Sequence, residues 1–255
     1  MSTAGGFVDL RARSVASVTA AGRTWQVCEL VVGYGLILAV IWSPRPLQHW
    51  LYWAAIAWFM VSIWRTFPGW KAMGFSRAGF WPSSWIVGLA LLVAAGAVLI
   101  AGRAQTLHHP DNALGWVQAF SGYTVWALVQ QVLMQGYFLL RLLRLVHSAT
   151  LAAILAATVF ALAHLPNPIL TPVTLLWGVA ACLLFLRYRN IWTLAMAHAI
   201  FGICLAVTIP GPVLHNMRVG LGYLNYHAPR RLYRNQRDHK VSTVAWVRHE
   251  APTRR

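Results

Sequence analysis

The sequence predicts an all-α protein, a polytopic transmembrane helical bundle of about seven to eight spans. Three observations carry that expectation. First, 58% of the 255 residues are hydrophobic and only 10% are charged, whereas a soluble domain carries roughly 25% charged residues. Second, the apolar residues fall in long blocks separated by Pro, Gly and Arg, not in short amphipathic stripes. Third, many of the 14 tryptophans sit at block edges, including Trp42, Trp50, Trp64, Trp70, Trp81, Trp85, Trp116 and Trp192. An amphipathic indole settles at that headgroup level.

A spanning helix needs roughly 20 apolar residues. Block one runs from about Gln26 to Trp42 and stops at Ser43-Pro44-Arg45-Pro46. Block two runs from Leu47 to Trp64, and a polar, Gly-containing loop with Arg65, Lys71, Arg77 and Pro82 follows. Block three covers Trp85 to Gly102. Block four, about Leu114 to Leu140, contains Gln118, Gln130, Gln131 and Gln135 and is ended by Arg141 and Arg144. Block five, Thr150 to Leu165, is short and stopped by Pro166-Asn167-Pro168, so a tilted or re-entrant segment is compatible with it. Blocks six and seven run from Ile169 to Leu186 and from Ile191 to Ile209. The chain thus divides into a basic cytoplasmic segment (1–25), an N-terminal transmembrane half of three helices (26–113), a four-helix core (114–210) and an interfacial, basic C-terminal tail (211–255).

The net charge is +16, from 21 Lys and Arg against five acids. In a soluble chain this would suggest nucleic acid. In a membrane chain it reads instead as basic loops held against anionic lipid, so membrane lipid is the expected partner and nucleic acid is not. With the N-terminus inside, the inner loops hold ten basic residues: Arg11, Arg13, Arg23, Arg65, Lys71, Arg77, Arg141, Arg144, Arg187 and Arg189. The outer loops hold only Arg45 and Arg103. The expected location is a multi-pass place in a bacterial-type inner membrane. Nine further basic residues in 213–255 would fall outside after seven spans. A cytoplasmic tail therefore calls for an extra half-span around Val213–Tyr226. None of the acids, Asp9, Glu29, Asp111, Asp238 and Glu250, is read as deep in a block, and Cys28, Cys182 and Cys204 read as buried free thiols.

Polar side chains are costly in hydrocarbon and normally face a bundle interior or cavity. Gln131 and Gln135 lie four apart on one helical face, with Gln130 about 100° around. Phe160 and His164 share a face, as do His198 and Gly202. A lone span glutamine is ordinarily interhelical glue and a lone histidine is often packing. The ordered set on three helices is the unusual feature. His108 and His109 read as surface loop residues, and His215 as a residue that could face a cavity mouth.

This ordered set resembles the CAAX protease and bacteriocin-processing (CPBP, or Abi) family of intramembrane proteases, whose members carry Glu-Glu-x-x-x-Arg, Phe-x-x-x-His and His-x-x-x-Asn. The matching positions are Gln130, Gln131 and Gln135, then Phe160 and His164, then His198 and Gly202, within about residues 114–210. The resemblance implies a cavity open to the cytosolic side. In it a glutamate and a histidine activate water, while a second histidine and the asparagine stabilise the oxyanion. Here both glutamates are glutamine, the arginine is Gln135 and the asparagine is Gly202. A glutamine amide cannot take a proton at neutral pH. The expected catalytic set is Gln130, Gln131, His164 and His198, supported by Gln135, Phe160 and Gly202. The expected function is CAAX prenyl protease-like cleavage of a membrane-associated or lipidated peptide, with catalysis altered or lost. Two alternatives stand beside it: a relative that binds such a peptide without cutting, and a bis-histidine haem or metal membrane protein. No cofactor is required, although metal dependence stays open, and two histidines without a carboxylate or thiolate are a poor zinc set.

Overall fold

A computed structural model describes residues 20–110 and 112–227. Among the described residues the chain is helical and carries no strand. Helix α1 spans Ala20–Trp42 and α2 spans Arg45–Arg65. A short α3 (Phe80–Ser83) leads into α4 (Trp85–Arg103). The next helix is continuous but changes pitch: α5 (Ala113–Gln131), a π-helix (Val132–Leu139) and α6 (Leu140–Leu145). Helices α7 (Ala149–Leu162), α8 (Leu170–Tyr188) and α9 (Ile191–Thr208) follow, then two short turns, α10 (Gly211–Leu214) and α11 (Gly220–Leu224). Four helices are each long and apolar enough to cross a membrane: Gly22–Trp42, Trp85–Arg103, Leu170–Tyr188 and Ile191–Thr208.

The expected blocks reappear with local causes at their ends. Pro44 caps α2 and Pro46 sits in its first turn, where a missing N–H costs nothing. Asn112, Ser148 and Asn190 each accept a hydrogen bond from a first-turn amide of α5, α7 and α9. Helices α7 and α8 pack closely, and a Cβ built on Gly178 would come within 3.0 Å of Ala157 Cβ. Helix α9 lies against both α4 and α5, so the N-terminal helices build one bundle with the core.

The bundle has two chemically different ends. At one end Arg23 donates to the Leu145 carbonyl, Arg141 reaches Thr66, and the Ile191 amide donates to the Gly74 carbonyl. Most basic loop residues lie here. At the other end the His108 amide donates to the Val207 carbonyl, the Gly220 amide to the Leu165 carbonyl, and Gly220 packs on Ile41.

Several expectations need correction. Helix α1 begins at Ala20, so Glu29 is well inside it and only 2% exposed. Its carboxylate pairs with Arg141 Nε at 3.0 Å and accepts from the Ser62 hydroxyl at 2.8 Å. Arg141 does not end the fourth block; the helix runs on through Arg144 to Leu145. The Arg141 guanidinium also donates to the Ser62 hydroxyl and carbonyl, to Thr66 and to the Tyr137 carbonyl. It is a buried partner rather than a free loop charge. Cys28 is exposed, while Cys182 and Cys204 are buried free thiols as expected. Residues 213–226 form short turns at one end of the bundle and not a half-span. The basic N-terminal segment before Ala20, Asp111, and the tail beyond His227 lie outside the described residues.

Candidate functional site

A cavity of about 670 Å³ opens between α1, α5, α7, α8 and α9. It reaches the end of the bundle where Ile41, His108 and Ile209 border it, together with Asn216 and Met217. His108 is an exposed loop residue, as expected, and lies on this border. Among the described residues no Asp, Glu, Lys or Arg lines the cavity. The wall is aromatic and aliphatic, and its polar groups are few: chiefly Gln130, His164, His198 and the Tyr123 hydroxyl.

The change of pitch after Gln131 sorts the glutamines. Gln130 faces the cavity, whereas Gln131 and Gln135 are fully buried behind it. Gln135 Nε2 donates to Gln131 Oε1 at 3.2 Å, which leaves the Gln131 amide to donate to His198 Nδ1 at 3.0 Å. The far end of this relay, Gln135 Oε1, is buried without a hydrogen-bond partner. An accepting Nδ1 requires the proton of the neutral ring on Nε2, so His198 presents an N–H donor as its remaining polar atom.

His164 has the opposite polarity. Its Nδ1 lies 2.8 Å from the Phe160 carbonyl oxygen, one turn back in the helix. A carbonyl only accepts, so Nδ1 holds the proton and Nε2 of the neutral ring is an acceptor. Phe160 holds the two rings apart: its centroid lies 4.8 Å from that of His164 and 5.8 Å from that of His198, edge-on to both. Trp177 flanks His198 from α8, with ring centroids 6.2 Å apart. One cavity thus holds a proton acceptor and a proton donor, each fixed by a bond on its other nitrogen.

The expected residues divide as follows. His164, His198, Gln130, Phe160 and Gly202 all line the cavity. Gln131 and Gln135 act on it only through His198. Asn167 and Asn190 do not enter it: Asn167 caps the start of α8 and donates to the Leu214 and Arg218 carbonyls, and Asn190 caps α9 and donates to Ser76. His215 stacks between Tyr223 and Tyr226 beside the cavity border. Among the described residues no three of His, Cys, Asp and Glu come together as metal ligands. Sequence reasoning missed Tyr123, whose one signal is its place seven residues before Gln130, on the same face of α5.

Residues 112–204 match the family model described as Type II CAAX prenyl endopeptidase Rce1-like. The match covers 93 of the 255 residues and supports membership of this core in the CPBP family. The match begins at the cap of α5 and ends within α9, so it takes in every one of the seven expected site residues. No curated protein and no solved structure matches the chain.

Proposed function

We propose that the protein is a CAAX protease-like intramembrane endopeptidase that takes a membrane-associated, lipidated peptide into this cavity and hydrolyses it slowly, without a carboxylate base. The observation that carries the reading is the opposed polarity of the two histidines on one apolar wall. In the reaction His164 Nε2 takes a proton from water, and the hydroxide oxygen bonds to the peptide carbonyl carbon. The developing oxyanion accepts from His198 Nε2–H. The proton on His164 then passes to the amide nitrogen, the C–N bond breaks, and an acid and an amine leave. Gln130 accepts a hydrogen bond from the attacking water and orients it, but cannot remove its proton.

The N-terminus lies inside on this reading, because the arginine-rich end carries most loop charge. The cavity border then faces the opposite side, contrary to the cytosolic mouth that the family resemblance implied. The membrane would be a bacterial-type inner membrane.

Cleavage of S-farnesyl-cysteine peptides by protein in lipid nanodiscs tests the proposal. Gln130→Glu supplies the missing base beside His164, and the rate should rise by about 10²- to 10⁴-fold. His164→Ala should abolish the wild-type rate. Cleavage that is unchanged in His164→Ala would remove the catalytic assignment. A wild type that binds the peptide and never cuts it, together with a Gln130→Glu that cuts, favours a binding relative that has lost its base.

A further inference from the structure

Helix α9 packs on α5, and Gly202 of α9 lies against Tyr123 of α5. A Cβ built on Gly202 would run into the Tyr123 hydroxyl and its ring carbons. The bare α-carbon is what lets the Tyr123 ring lie across α9. The consequence concerns where the phenol ends. Tyr123 and Gly202 both line the cavity, Gly202 lies one turn from His198 on the same face of α9, and Tyr123 lies two turns from Gln130 on the same face of α5. The Tyr123 hydroxyl makes no hydrogen bond among the described residues. A half-buried phenol in an apolar wall normally has a partner for its O–H. This one rests against Gly202 in the wall of a cavity of about 670 Å³, which has room for a ligand.

We propose that Tyr123 is a second donor of the site, pairing with His198 Nε2–H to hold one uncharged carbonyl oxygen of the bound substrate. The proposal rests on the reading of the cavity given above and adds what that reading lacks, since a single imidazole N–H is an incomplete cradle for a carbonyl oxygen. It also defines the ligand chemistry. Neutral donors and acceptors in an apolar wall, with no Asp, Glu, Lys or Arg among the described lining residues, suit a neutral carbonyl, such as an amide or ester beside a lipid chain, and disfavour a carboxylate or a phosphate that brings its charge with it. The hydroxyl needs no base to act in this way, so its role persists whether or not the peptide is cut.

Infrared difference spectra of the protein in nanodiscs test the assignment, with an S-farnesyl-cysteine peptide ¹³C-labelled at the cysteine carbonyl as the probe. Wild type should shift the labelled band to lower frequency. Tyr123→Phe should lose part of the shift and weaken binding by roughly 3- to 10-fold. Gly202→Ala should reproduce the loss, because its methyl group displaces the ring. Tyr123→Ala combined with Gly202→Asn should regain the shift, since an amide then occupies the vacated space. A Tyr123→Phe spectrum identical to wild type, alongside a spectrum altered by His198→Ala, overturns the role of Tyr123 and leaves the cavity reading standing. A wild-type band unshifted on addition of protein overturns both. A double variant that folds yet shows no more shift than Tyr123→Phe also counts against the role of Tyr123.

Discussion

Two polar clusters lie along the long helix formed by α5, the π-segment and α6, about ten residues apart, and they are built on opposite rules. Around Arg141 the chain buries a full ion pair and satisfies it from every side: Glu29, Ser62, Thr66 and the Tyr137 carbonyl all bond to it. Its guanidinium also lies 3.8 Å from the Tyr137 ring centroid, and the Tyr137 hydroxyl donates to the Glu29 carbonyl. Around Gln131 the chain uses only neutral groups and leaves several unfilled: Gln135 Oε1, the outer nitrogens of both histidines, and the Tyr123 hydroxyl. The first cluster is closed and holds helices together. The second is open and faces space. The difference teaches that charge in this bundle marks structure, whereas unspent neutral hydrogen-bonding capacity marks the site.

That contrast can be broken most severely at the closed cluster. Arg141→Ala strands the Glu29 carboxylate and should cost about 3–5 kcal/mol. The measurement is thermal unfolding in detergent, and Glu29→Leu combined with Arg141→Leu should be markedly milder than Arg141→Ala alone. An unfolding temperature unmoved by Arg141→Ala would show that the pair is not structural. At the open cluster Gln131→Leu should cost less, about 1–3 kcal/mol, by leaving His198 Nδ1 unpaired. Its sharper signature is spectroscopic: ¹⁵N shifts of His198 should lose the single-tautomer pattern while those of His164 keep theirs. Tyr137→Phe should be the mildest, about 0.5–1.5 kcal/mol, through loss of its bond to the Glu29 carbonyl. If it instead weakened binding of the farnesylated probe as much as Tyr123→Phe, the separation of the two clusters would fail.

The helices were legible because blocks of apolar residues between Pro and Arg have few other uses, and their ends came within a few residues of the expected ones. The candidate site was legible because glutamine and histidine are expensive in hydrocarbon, so five-residue patterns such as Phe160-x-x-x-His164 stand out against alanine and leucine. The ion pair was not. Glu29 sits near the start of an apolar run and Arg141 near the end of one, so each looks like a boundary until α1 is seen to begin at Ala20 and α6 to end at Leu145. Tyr123 was hidden for another reason: an aromatic in a span is ordinary, and its importance comes from Gly202, 79 positions later, which a local pattern cannot show. The π-helix over Val132–Leu139 was equally hidden, since nothing in Val-Leu-Met-Gln-Gly-Tyr-Phe-Leu departs from an ordinary helical composition.

The lack of Asp, Glu, Lys and Arg among the described residues of the cavity wall has an electrical consequence. Moving one elementary charge through a membrane potential costs about 2.3 kcal/mol per 100 mV. Here the described lining residues include no Asp, Glu, Lys or Arg, and the Glu29–Arg141 pair sums to zero. An uncharged ligand can therefore enter, be held and leave without moving charge across the field. Occupancy of the site should be the same in an energised and a de-energised vesicle.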